Sequence, residues 1–111
     1  SFDAGGPVEM AGAQTIADSL NAPHTRPLSY RLCRDHVDQL VTVSDAQMVD
    51  AMALMFQEMK LAVEPAGAAT LAALLGPLKA PLENQRVGLV VCGTNIDAAT
   101  HHQYLQQAGA A

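Results

Sequence analysis

Apolar positions recur at helical spacing along several stretches of the chain. Met48, Met52, Met55, Phe56 and Met59 fall at i, i+4, i+7, i+8 and i+11, with Asp50, Gln57 and Glu58 off that line. The pattern predicts an amphipathic helix. Ser44 followed three residues later by Gln47 is a capping box, so this Met-rich helix is expected to open there. Upstream, Leu28 and Leu32 are four apart and Cys33, Val37 and Leu40 lie at i, i+4 and i+7, which predicts a second helix over 28–40. Pro65 suits a first helical turn and opens a third helix through Leu75. Gly76, expected as a left-handed cap, and Pro77 stop it. A closing helix is predicted from Ile96 to Gln107, and Thr15–Leu20 reads as one helical turn with Thr15 as its N-cap.

Two runs lack that period. Val41-Thr42-Val43 is β-branched and reads as a short strand. Arg86 to Val91 shows no alternation, so it is expected to be buried on both faces, as in a parallel sheet. Cys92-Gly93-Thr94-Asn95 then forms a tight turn. Strand and helix alternate, which implies an α/β architecture with helices packed on a parallel sheet and a buried strand ending at Cys92. Residues 1–14 are glycine-rich without period and are expected to be irregular or loop.

Composition narrows the function classes. Among 111 residues there are 6 Lys and Arg against 11 Asp and Glu, for a net charge of −5. No basic excess exists to bind a phosphate backbone, so a nucleic-acid scaffold is excluded. Ala, with two Phe, two Tyr and no Trp beside it, makes a core of small aliphatic side chains. Cys33 and Cys92 are too few for a disulfide framework and too far apart for a CxxC pattern, so a reducing, cytoplasmic setting is expected. No run of 18 apolar residues offers a membrane span, and no basic stretch followed by an apolar one marks a signal peptide. A loop-like start at Ser1 predicts a piece of a longer chain.

Candidate chemistry concentrates at the strand–turn–helix unit RVGLVV-CGTN-ID. In open parallel sheets, ligands bind beyond the carboxyl ends of the strands, where Cys92 would sit and where Gly93 lets a backbone or ligand come close. A buried structural cysteine in an ordinary turn fits the same residues. Glu64 lies between apolar LAV and PAGAATLAALL, beside the positive end of the following helix; a plain helix-start acid fits equally. The methionine spacing fits core packing before an adaptable binding face. His24 and His36 stand alone, and His101 and His102 are adjacent, so no i, i+4 ligand pair exists and no metal site is expected. Phosphate-binding P-loop, GxSxG and GxGxxG motifs are absent.

Three blocks in order carry a resemblance: TIADSL at 15–20, KLAVEPAGAATLAALLG at 60–76 and RVGLVVCGTNID at 86–97. Together they resemble the C-terminal part of the threonine/serine dehydratase family, pyridoxal-phosphate enzymes of the tryptophan-synthase-β fold type (fold type II). Serine racemase and hydroxyaspartate dehydratase are relatives. The intervening LCRDHVDQLVTVSDAQMVDAMALMFQEMKL is similar to the family's lead into a long helix, so the resemblance runs over about residues 7 to 105. It implies that residues 15–111 are the C-terminal part of the large cofactor-binding α/β domain.

The resemblance also implies roles. Cys92 matches the Ser or Cys that hydrogen-bonds the pyridine nitrogen of pyridoxal 5'-phosphate, Gly93 the residue that gives the ring room, and Glu64 the acid of the EPAGA-type motif near cofactor and substrate. A thiol is a neutral partner that leaves the ring a weaker electron sink than an Asp would. Ser19 and Thr94 depart from the family's usual glycines, so substrate preference is not carried over. The family's Schiff-base lysine and glycine-rich phosphate loop have no match; Lys60 and Lys79 are the only lysines and neither has that context. No catalytic residue is therefore expected in this chain. The implied parent is an ammonia-lyase converting L-threonine or L-serine to a 2-oxo acid and ammonia. Its implied partners are the amino-acid substrate, the N-terminal part of the same enzyme and a second copy in a homo-oligomer. Serine racemase or hydroxyaspartate dehydratase activity, and a non-catalytic remnant that binds a small molecule or a partner, stand as alternatives.

Overall fold

The computed structural model describes residues 1–109. The chain forms two compact units, one over Ser1–Leu40 and one from Val41 onward. Helices α1 (Pro27–His36), α2 (Asp45–Met59), α3 (Pro65–Leu75) and α4 (Ala98–Gln107) follow a short 3-10 turn at Asp18–Leu20.

The first unit relies on side chains that satisfy loop backbone. Asn21 accepts from the Ala13 N–H at 2.8 Å and donates to the Ala13 carbonyl at 2.7 Å, closing the glycine-rich segment onto itself. The Met10 N–H donates to the Pro23 carbonyl at 2.8 Å, and the Phe2 and Tyr30 rings meet with centroids 5.6 Å apart. Pro27 is the first residue of α1, where its missing N–H and fixed φ cost nothing. The expected helix over 28–40 ends at His36, with Arg34 and His36 in its last turn, where cations suit the negative end of the dipole. Its stripe is not a core: Leu28 and Leu32 are exposed, and Tyr30 is the buried position of α1.

The second unit is a helical packing built around α2. The capping box forms as expected. The Ser44 hydroxyl accepts from the Gln47 N–H at 3.2 Å, and the Gln47 side chain accepts from the Ser44 N–H at 2.8 Å. Met48, Met52 and Met55 are buried, Met52 and Met55 completely, so the methionine spacing is core packing for those three; Phe56 and Met59 stay exposed. Lys60 ends α2 in the left-handed conformation (φ 58°), and its ammonium donates to the Gln57 carbonyl at 2.5 Å. α3 packs on α2, and Gly67, Ala68, Leu71 and Ala72 are buried. α4 also packs on α2 and contributes Leu105 and His101 to the core.

Four expectations are corrected. Among the described residues there is no strand, so the α/β sheet is not formed within this chain. Val41–Val43 and Arg86–Val91 form no ladder, because a ladder needs a neighbouring strand and neither segment meets one among the described residues. Arg86–Val91 is consequently not buried: Leu89 is half-buried, Val87 and Val91 are exposed, and Val90 is 73% exposed. Gly76 caps α3 at φ −104°, outside the left-handed region. The closing helix starts at Ala98 rather than Ile96, because Asp97 caps it.

Candidate functional site

The first turn of α3 and the turn after Val91 meet. Pro65 starts the helix and Glu64 is its N-cap residue, so the Glu64 backbone is still extended (φ −74°, ψ 163°) and its N–H is free to point away from the helix. That N–H donates to the Gly93 carbonyl at 3.2 Å. Gly93 takes φ +85°, a conformation that side chains rarely adopt, and the Glu64 carboxylate occupies the space where a Gly93 Cβ would stand. Two of the three expected site residues are thus in direct apposition. Cys92, next to Gly93, is exposed with a free thiol. It is not the buried structural cysteine that the same residues allowed.

Helix α3 contributes two further contacts that the residue pattern did not single out. A Cβ on Gly67 would run into the Cys92 carbonyl and come within 2.9 Å of the Gly93 carbonyl, so the helix and the turn approach at a distance that only glycine permits. The Thr70 hydroxyl donates to the Val90 carbonyl at 3.3 Å. A glycine three residues past Glu64 in an alanine-rich helix was the available signal, since glycine there lowers helix propensity without a local need.

Asp97 caps α4. Its carboxylate accepts from the Ala99 and Thr100 N–H groups at 3.0 Å each and from the Thr100 hydroxyl at 2.6 Å. The Thr100 hydroxyl, with those N–H groups, holds the Asp97 carboxyl below its ordinary value. Asp directly before the periodic residues was a readable cap signal.

The lysines stand elsewhere. Lys60 is tied to the end of α2, and Lys79 follows the far end of α3, a helix of 11 residues spanning about 16 Å. Among the described residues no three His, Cys, Asp or Glu side chains gather as a metal site. His101 is buried against Phe56, ring centroids 5.3 Å apart, and its Nε2 has no hydrogen-bond partner among the described residues. No helix among the described residues is long and apolar enough to cross a membrane.

Comparisons with known proteins give the chain a family. Residues 1–93 match the family model described as pyridoxal-phosphate dependent enzyme. The chain belongs to that family. It is 57% identical over 105 residues to a phenylserine dehydratase of Ralstonia pickettii, covering 95% of this chain and 32% of the relative. It is 38% identical over 106 residues to an L-threo-3-hydroxyaspartate ammonia-lyase of a Pseudomonas species, covering 96% of this chain and 33% of that protein. Among solved structures it superposes on maize serine racemase with a TM-score of 0.80 at 37% identity, covering 95% of this chain and 34% of that one. The chain therefore spans about a third of the length of the relatives it matches. It is a fragment of a fold-type II pyridoxal-phosphate enzyme, and the missing sheet partners follow from that share.

An exposed thiol at Cys92 and the Glu64 carboxylate, which fills the space that Gly93 leaves by lacking a Cβ, are polar groups of the kind that the ring edge of such a cofactor would need.

Proposed function

We propose that this chain is the C-terminal third of a pyridoxal-phosphate-dependent ammonia-lyase that acts on a β-hydroxy amino acid. The observation that carries the reading is the apposition of Glu64 to the Cys92–Gly93 turn, in a chain 57% identical to a phenylserine dehydratase. L-threonine and L-serine are the substrates that the sequence resemblance implies. The likeness to the Ralstonia protein favours adding an aryl-substituted β-hydroxy amino acid to that set. The overall conversion removes the α-proton and the β-hydroxyl, and water then replaces the amino group to give a 2-oxo acid and ammonia.

When bound, pyridoxal phosphate supplies the electron sink that makes the α-proton removable. The residues of this chain shape its ring edge. Cys92 would hold its thiol towards the ring nitrogen, Gly93 makes the space that the Glu64 side chain takes, and Glu64 would keep a carboxylate beside the ring edge. The lysine that binds the cofactor and the loop that holds its phosphate belong to the remaining two-thirds. A homo-oligomer with such a partner segment in each copy is part of the same reading.

The test uses the complete enzyme. Borohydride reduction followed by intact-mass analysis is expected to show a pyridoxyl adduct on a lysine outside these residues. Product analysis with L-threonine, L-serine, 3-hydroxyaspartate and phenylserine is expected to give the 2-oxo acid and ammonia. Chiral analysis that found only the inverted amino acid would assign a racemase instead. Cys92→Ser is expected to keep most of the activity and Cys92→Asp to impair it; an unimpaired Cys92→Asp enzyme would sink the ring-edge role.

A further inference from the structure

Two positions of α3 and its N-cap residue touch three points of the segment that carries the candidate thiol. Thr70 donates to the Val90 carbonyl, Gly67 lies against the Cys92 carbonyl, and the Glu64 N–H donates to the Gly93 carbonyl. Gly67 and Thr70 are three apart and so are neighbours on α3, and Glu64 stands just before the helix at its N-cap, so the segment runs along the first two turns of the helix. Nothing else among the described residues holds Val90–Gly93: no strand pairs with it, and Val90, Val91 and Cys92 are exposed. The placement of the thiol is therefore set from α3.

We propose that Gly67 and Thr70 are positioning residues that fix where the Cys92 thiol stands relative to the cofactor's ring nitrogen. The inference rests on the ring-edge reading of Cys92 above. Gly67 sets the distance, because any side chain there would push the Cys92–Gly93 backbone away from the helix. Thr70 sets the register, because its hydroxyl selects the Val90 carbonyl. The two act at different points of the segment, so each can be removed while the other remains.

The experiment uses the complete enzyme with Cys33→Ser, since Cys33 is also exposed and free. Alkylation of Cys92 by iodoacetamide is followed by peptide mass mapping in the cofactor-free protein, and the absorption band of bound pyridoxal phosphate is recorded in the loaded protein. Thr70→Val keeps the shape and loses the donor. It is expected to raise the alkylation rate roughly threefold to tenfold, the factor that corresponds to a net hydrogen bond, and to displace the band. Thr70→Ser is expected to restore both. Gly67→Ala is expected to change both readouts. If Gly67→Ala does not fold, the Thr70→Val and Thr70→Ser pair decides alone. Parent-like rates and bands in Thr70→Val, with a displaced band in Cys92→Ala, would overturn the positioning role and leave the ring-edge reading intact. An unmoved band in Cys92→Ala would overturn the ring-edge reading, and this inference with it.

Discussion

Helix α2 and the segment Arg86–Gly93 are both apolar in sequence, yet they end in opposite environments. α2 has its own start signal in Ser44 and Gln47, satisfies its backbone within itself, and buries Met48, Met52 and Met55 against α3 and α4. Arg86–Val91 has the composition of a buried strand but no strand beside it, and Val87, Val90 and Val91 remain exposed. A helix pairs its own N–H and C=O groups, while a strand borrows partners from elsewhere in the chain. In a chain that spans about a third of its relatives' length, the first kind of element can be complete and the second cannot.

Four measurements on the 111-residue chain break or sharpen that contrast. The largest effect is expected from Met52→Ala, which empties a completely buried site. It should cost about 2–5 kcal/mol in urea denaturation; a loss under 1 kcal/mol would mean that α2 is not the centre of this core. Ser44→Ala comes next. Removing the capping hydroxyl should cost about 1 kcal/mol, with most of the loss recovered in Ser44→Asp, and an unchanged urea midpoint would show the box to be dispensable.

A smaller effect is expected from pH through Asp97. Its folded carboxyl is held below its ordinary value by the Thr100 hydroxyl and the Ala99 and Thr100 N–H groups. The contribution is therefore fully present above the ordinary carboxylate range and declines as pH falls towards the lowered folded value. Asp97→Asn should flatten the urea midpoint over that acidic window relative to the parent. Identical acid profiles for the two proteins would remove Asp97 from the account. The smallest effect is expected at Val90, which is 73% exposed. Val90→Thr should change stability by less than about 0.5 kcal/mol in this chain. The same substitution should cost more in the complete enzyme if the missing length covers it, and equal costs in the two proteins would mean that nothing does.

How far each feature was legible follows from how local its cause is. The capping box at Ser44, the start of α3 at Pro65 and the burial of Met48, Met52 and Met55 rest on residues within a turn or two of one another, so spacing alone predicted them. The end of α1 at His36 was misread because Leu28, Leu32, Val37 and Leu40 keep a helical spacing that the fold does not use. The left-handed cap expected of Gly76 failed for a related reason: glycine permits that conformation without requiring it.

The site divides along the same line. Cys92, Gly93 and Glu64 could be named because their motifs are contiguous and resemble a known family. Nothing in those motifs said that Glu64 would occupy the space above Gly93, or that Gly67 and Thr70 would hold the turn from across 20 or more residues of chain. By itself, the sequence determined the helices that cap and satisfy themselves and the family to which they belong. The tertiary structure alone decided which carbonyl faces which donor and which apolar face goes uncovered, because both depend on how closely separate segments approach, and that distance is set by side chains such as the one Gly67 lacks.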